Sequence, residues 1–183
     1  MKASIRKLVA ILSVVTAFAV VMPFAASDAY AQQKAANTAK QLIGHWSLVS
    51  VKLEQDGKTT EPWGPNPKGL FIFDRSGRYV TLIFRSDLPK FASNSIDTGS
   101  PEENKAVVTG SMAHFGTYSV NEKEGSFSVH PEAGTFPNWV GIDQKRLVSV
   151  SKDELKITTP SAPMGGTSTL IFKRARQSAR EPK

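Results

Sequence analysis

The sequence predicts an all-β protein, an up-and-down antiparallel β-barrel of about eight strands with one short inserted α-helix, preceded by a cleavable signal peptide. The first observation is a series of short β-rich runs from residue 42 onward, separated by turns at spacings of about 8–12 residues. The second is the length of that region, roughly 130 residues, which suits one eight-stranded barrel. The third is an apolar run over residues 8–24 that follows basic residues.

The first 31 residues have the three parts of a secretory signal. Three basic residues precede the apolar run, and the tripeptide at 29–31 (Ala-Tyr-Ala) supplies the small residues that a signal peptidase recognises. A membrane anchor is the alternative, but the run of about seventeen residues is shorter than the roughly 20 that a bilayer requires. We therefore expect cleavage after Ala31, a periplasmic or secreted protein and no stable membrane insertion after cleavage. No twin-arginine pair is present, which favours the general secretory route.

The chain divides into four predicted segments. A signal peptide over 1–31 is followed by a polar linker over 32–41, a barrel domain over 42–174 and a disordered basic tail over 175–183. The chain has no cysteine, which excludes disulfides, thiolate metal sites and a cysteine nucleophile.

The formal net charge of +7 belongs to the ends of the chain. Residues 42–172 contain 13 Lys and Arg against 14 Asp and Glu, a net of −1. Binding to nucleic acid depends on neutralising many phosphates with basic side chains. A nearly neutral barrel is poorly suited to that, so we expect no nucleic-acid partner.

Each predicted strand is bounded by a turn signal. The first runs over 46–53 and is followed by Asp56-Gly57, a dipeptide typical of hairpins. Three prolines over 62–67 exclude regular structure there. The later strands are expected at 69–73, 78–85, 115–120, 126–130, 144–150, 155–159 and 167–173.

The inserted helix has a strong N-terminal signal. Ser100 stands at the N-cap position, Pro101 at the first helical position and Glu103 where a capping box requires it. We expect the helix to end near Met112.

Several motifs resemble one family. Gly44-His45-Trp46 resembles the Gly-x-Trp motif that opens lipocalins, and Lys173-Arg174 resembles the basic residue that closes them. The strings at 42–50, 64–69, 101–105, 114–120 and 136–139 are similar to the bacterial and fungal lipocalin-like domain family. The resemblance implies a lipocalin-type barrel in which Gly44, Trp46 and Arg174 are structural, with the basic side chain packed over the indole. It implies little about chemistry.

The candidate ligand-binding residues are polar or aromatic side chains on strands or in proline-containing loops: Trp63, Tyr79, Arg85, His114, Tyr118, His130, Trp139 and Arg146. The two tryptophans stand in loops that could gate an open barrel end or simply cap its rim. Each histidine could face the lumen or be an ordinary histidine near a strand end, and the second interpretation is the simpler one.

Side chains two residues apart share a strand face, but the sequence does not say which face is inside. Arg146 shares a face with Gln144 and Val148. On an inward face it would require an anionic partner from the protein or a ligand; on an outward face, which we take as the default, it is a surface charge.

The same alternatives hold for Arg85, which shares a face with Tyr79. Tyr118 shares a face with His114 and is a candidate hydrogen-bonding group in the lumen.

No catalytic or metal-binding motif is visible. The spacing of the three histidines, His45 among them, does not indicate a metal site, and we expect no cofactor. The sequence therefore favours an exported protein that binds a small, mostly apolar or amphipathic molecule in the barrel. The alternative is an isomerase, cyclase or dehydratase in which His114, Tyr118 or His130 transfers a proton. A third possibility is an interaction protein with a filled barrel.

Overall fold

The computed structural model describes residues 38–175, so the predicted signal peptide, most of the linker and nearly all of the tail lie outside the described residues. Residues 38–42 form a helical turn where the end of the linker was expected. No helix within 38–175 has both the length and the apolar character needed to cross a membrane. The strands are β1 (Gly44–Gln55), β2 (Lys58–Thr60), β3 (Lys68–Phe73), β4 (Arg78–Phe84), β5 (Ser111–Asn121), β6 (Ser126–Gly134), β7 (Gln144–Val150), β8 (Glu154–Thr159) and β9 (Thr167–Arg174).

The strands form a closed antiparallel barrel. Neighbours in the sheet follow the order β2-β1-β3-β4-β5-β6-β7-β8-β9, and pairing of β1 with β9 closes it. Strand β2 pairs only with the far end of β1, so eight strands form the wall. The predicted up-and-down antiparallel barrel of about eight strands is confirmed.

Local turn chemistry accounts for the meander. Asp56 and Gly57 both have positive φ, 51° and 72°, as the tight turn between β1 and β2 requires. At the turn from β3 to β4 the Asp74 carboxylate accepts a hydrogen bond from the Ser76 amide at 2.6 Å, and Gly77 takes φ 83°. These side-chain and glycine signals were readable in the sequence.

The helix α1 (Pro101–Gly110) has the predicted start and an earlier end. Ser100 and Glu103 form the complete capping box. The expected end near Met112 was wrong, because Ser111 already has extended backbone and pairs with Phe84 of β4. Strand β5 thus begins four residues before the predicted 115.

The two ends of the barrel differ in their connections. The three turns at one end are short: 74–77, 122–125 and 151–153. At the other end the connections are long and contain β2, α1 and the 3₁₀ turn Pro137–Trp139. We call these the closed end and the open end.

A cation on an indole seals the closed end. The Arg174 guanidinium carbon lies 4.0 Å from the ring centroid of Trp46, which has no exposed surface. The same guanidinium donates hydrogen bonds to the carbonyl oxygens of Gln41 at 2.8 Å, Ile43 at 3.1 Å and Lys152 at 2.7 Å. A Cβ on Gly44 would lie 2.9 Å from Arg174 Nη1, so the glycine makes room for this side chain. This is the arrangement that the family resemblance implied.

Aromatic side chains fill the closed half of the lumen. Phe71 stacks on Phe73 with ring centroids 4.3 Å apart, and Phe127 meets Phe73 edge-on at 5.3 Å. Phe172 packs against Phe71 at 5.9 Å. Because this half is solid, any open space in the lumen must lie toward the open end.

Candidate functional site

A cavity of about 360 Å³ occupies the open half of the barrel. That size is within the range of small-molecule sites. Its floor is apolar and is formed by inward-facing side chains of five strands: Val51, Phe71, Val129, Ile157 and Leu170. The aromatic filling of the closed half therefore becomes the bottom of the cavity.

The mouth of the cavity is also largely apolar. Val108 of α1, Phe136 and Met164 line it while remaining 74%, 46% and 50% exposed. Trp139 packs edge-on against Phe136, with ring centroids 5.3 Å apart. An apolar rim that is open to solvent suits the entry of an apolar molecule.

Tyr79 and His114 form a buried pair beside the cavity, and His114 lines it. The Tyr79 hydroxyl and His114 Nδ1 are 2.7 Å apart, and both residues face inward from the neighbouring strands β4 and β5. Burial, with a smaller effect of the Arg146 charge, lowers the pKa of His114 to about 4. Burial also raises the pKa of Tyr79. The pair is therefore uncharged near neutral pH.

Arg146 is a mostly buried cation on the inner face of β7. Its guanidinium donates to Gln144 Oε1 and, at 3.4 Å, to the carbonyl oxygen of Lys145. Within residues 38–175 it makes no ion pair. Burial lowers the pKa of Arg146, and the nearby Tyr79 opposes that shift. The outward orientation that we took as the default was wrong, because β7 places Gln144, Arg146, Val148 and Val150 on the lumen side.

A groove of about 560 Å³ adjoins the cavity beside Arg146. The ladder between β7 and β8 covers only Leu147–Val150 on the β7 side, so the first residues of β7 have no partner in β8. The groove lies over that gap and shares Trp139, Arg146, Thr159 and Pro163 with the cavity. Arg146 thus stands where the lumen meets an opening in the barrel wall.

Four of the sequence-predicted ligand residues line the cavity: Trp63, His114, Trp139 and Arg146. Tyr79 adjoins it through its hydrogen bond to His114. Trp139 also packs edge-on against His114, with ring centroids 5.4 Å apart. The structure therefore brings these five side chains to one end of the barrel.

The other three predicted residues lie elsewhere. Arg85 follows the end of β4 and forms an ion pair with Asp87 at 2.6 Å. Tyr118 faces inward at the closed end, where its hydroxyl donates to the Asp74 carbonyl oxygen at 2.9 Å. His130 lies on the outer face of β6 with Nδ1 2.7 Å from Asp143 Oδ1. None of the three borders the cavity.

Sequence reasoning did not single out several side chains that form the site. Gln144 shares the inner face of β7 with Arg146 and lines the adjoining groove, and its Nε2 is buried without a hydrogen-bond partner in the described part of the chain. The hydroxyl groups of Thr81, Thr159 and Ser168 are in buried residues that line the cavity. The signal for Gln144 was present, since it stands two residues before Arg146 on the same strand.

The described part of the chain shows no group of three or more His, Asp or Glu side chains arranged to hold a metal ion. The chemistry available at the site is therefore that of an apolar pocket with several hydroxyl groups, the Arg146 guanidinium, the Gln144 amide of the adjoining groove and a neutral Tyr–His pair.

Comparison with known families gives one clear match. The family described as lipocalin-like domain matches residues 43–175, which contain all nine strands of the described region. No curated protein gives a significant match to the chain.

Proposed function

We propose, from the membership of this chain in the lipocalin-like domain family, that the protein binds a small, mostly apolar molecule in the open half of its barrel. The observation that carries the proposal is the cavity of about 360 Å³ with an apolar floor and an apolar rim. A barrel of eight strands has an interior wide enough for one small ligand. Here the closed half is filled, which limits the ligand to the space above Phe71.

The binding test uses the neutral fluorescent probe N-phenyl-1-naphthylamine. We expect a saturable rise in probe fluorescence, because the probe moves from water into an apolar cavity. Leu170→Trp, which places an indole on the cavity wall, should weaken binding at least tenfold. Val49→Trp is the matched control, since Val49 lies on the outer face of β1 and is 42% exposed. Equal binding to all three proteins, or none to the wild type, would contradict the proposal.

The Tyr79–His114 pair is the observation that favours the alternative, an isomerase, cyclase or dehydratase. A general base works best when its pKa lies near the working pH. With its pKa lowered to about 4, His114 is a weak base near neutral pH, and the raised pKa of Tyr79 makes it a weak acid. Both shifts favour binding over proton transfer. A hydrogen-bonding role toward a bound ligand is compatible with the neutral pair.

We propose further that the barrel acts outside the cytoplasm. The support is the signal-like pattern of residues 1–31, with basic residues, an apolar run and Ala29-Tyr30-Ala31. Expression of the full chain in a bacterium should yield a periplasmic or secreted protein whose first residue is Gln32. Ala29→Arg should block processing at this site, and Ala36→Arg in the following segment should not. A cytoplasmic product that retains residue 1 would overturn this proposal.

A further inference from the structure

The cavity contains one charge that the described residues do not balance. Arg146 is mostly buried, and within residues 38–175 its guanidinium donates hydrogen bonds only to the neutral oxygens of Gln144 and Lys145. A buried cation is costly unless an anion and hydrogen bonds compensate it. An apolar residue at this position would avoid that cost, so the presence of an arginine here needs an explanation.

The neighbouring acidic groups are engaged elsewhere. Asp143 is 2.7 Å from His130 on the outer face, and Glu132 forms an ion pair with Arg78. Glu124 pairs with Lys145. The groups that face Arg146 across the lumen are Tyr79 and His114, and both are neutral near pH 7. No carboxylate within residues 38–175 is therefore placed to compensate the guanidinium.

A second polar group beside Arg146 also lacks a partner. Gln144 uses its Oε1 to accept a hydrogen bond from the guanidinium, which leaves the Nε2 amide as a donor. That Nε2 is buried and finds no acceptor among the residues that the structure describes. Buried donors are nearly always hydrogen-bonded, so an unpartnered one next to an uncompensated cation indicates a missing acceptor. The two residues together present a positive charge and an unpartnered donor.

We infer that Arg146 and Gln144 bind the carboxylate of an amphipathic acid whose apolar part occupies the cavity above Phe71. This inference rests on the proposed binding function and names the class of ligand. A guanidinium binds a carboxylate through two parallel hydrogen bonds, and the Gln144 amide supplies a third. One carboxylate balances one guanidinium, whereas a phosphate dianion would leave a second, uncompensated negative charge in an apolar cavity. The position of Arg146 beside the wall opening places the polar head near solvent and the tail inside the lumen.

The test compares dodecanoate with dodecanol at pH 8 by displacement of N-phenyl-1-naphthylamine. The two molecules have the same chain and differ in charge. We expect wild-type protein to bind the acid roughly 10- to 100-fold more tightly, the range that a charge-assisted hydrogen bond supplies. Arg146→Met should remove this preference and change dodecanol binding less than about threefold. Lys156→Met is the matched control, because that exposed side chain lies on the outer face of β8 and borders neither the cavity nor the groove.

The stability of Arg146→Met toward urea independently tests whether Arg146 is held for a ligand or supports the fold. If Arg146 is held for a ligand, Arg146→Met without ligand should unfold at an equal or higher urea concentration than the wild type, since an uncompensated buried charge has been removed. If Arg146 instead supports the fold, the same change should lower that concentration, which would overturn the inference. Gln144→Met should reduce the acid preference by a smaller factor, severalfold, and serves as the second variant if Arg146→Met does not fold.

The outcomes separate this inference from the proposed function. Equal binding of dodecanoate and dodecanol by the wild type would overturn the carboxylate site and leave the apolar binding function standing. Failure of both ligands and of the probe to bind would overturn the binding function. A preference for the acid that survives in both Arg146→Met and Gln144→Met would place the carboxylate elsewhere and contradict the assignment.

Discussion

The free energy of unfolding should fall by about 3 kcal/mol between pH 6.5 and pH 4 because of one side chain, His114. The residue is 6% exposed, and burial lowers the pKa of its imidazole from 6.5 to about 4 in the folded protein. In the unfolded chain the same group titrates near 6.5, so between these values the unfolded state binds more protons than the folded state. Stability therefore rises with pH in this window and is lost as the pH falls toward 4. Each unit of difference in pKa corresponds to about 1.4 kcal/mol.

Urea unfolding of the wild type and of His114→Asn between pH 4 and pH 7 checks this expectation. Asparagine places an amide oxygen near the position of Nδ1, so the Tyr79 hydroxyl keeps an acceptor, and the group no longer titrates. The variant should lose a constant amount of stability at every pH and show a flatter pH dependence. The control His45→Asn changes an exposed imidazole at the closed end and should keep the wild-type dependence.

Acidic groups contribute to the same profile and must be separated from His114. Hydrogen bonds and ion pairs on the surface lower the pKa of several exposed carboxyl groups: Asp74, Asp87, Asp97, Glu103 and Glu124. Stability that depends on these carboxylates is also lost as the pH falls. It is lost equally in the wild type and in His114→Asn, so the difference between their curves isolates the histidine. Parallel curves would show that His114 does not titrate abnormally.

The fold was predictable because its local signals agree with one another. The Asp56-Gly57 turn, the turn around Asp74 and the capping box at Ser100 each specify a local geometry that the structure contains. Strand ends were less predictable. Strand β5 starts at Ser111 because pairing with β4 extends it, and long-range pairing leaves no signal in the local sequence.

The candidate site was only partly predictable, for two geometric reasons. Alternation identifies residues that share a face, yet His114 and Tyr118 share one and lie about 13 Å apart along β5, in different halves of the barrel. Alternation also leaves the inner face undecided when both faces carry a charge, as on β7 with Lys145 and Arg146. On β6 the sequence did indicate which face is inside. The apolar Phe127 and Val129 share one face, which places His130 on the opposite, outer face.

The second large effect is expected at Phe71, where the filled half of the barrel meets the cavity. Phe71→Ala should lower the free energy of unfolding by about 3–5 kcal/mol, the cost of removing a buried phenyl ring from a core that cannot collapse around the gap. Collapse is restricted because β3 is hydrogen-bonded on both sides, to β1 and to β4. Phe115→Ala is the matched control: that ring is 42% exposed on the outer face of β5, and its removal should change stability by about 0.5 kcal/mol.

Phe71→Ala also tests whether the Phe71 ring limits how deep the cavity extends into the barrel. The ring is 6% exposed and forms part of the cavity floor, so its removal should extend the cavity into the closed half. Apolar engineered cavities bind small apolar molecules such as benzene. Benzene should therefore raise the midpoint temperature of unfolding of Phe71→Ala more than that of the wild type, because a ligand that binds only the folded state stabilises it. If Phe71→Ala lost no more stability than Phe115→Ala, or gained nothing from benzene, the ring would not be the barrier that sets the depth of the site.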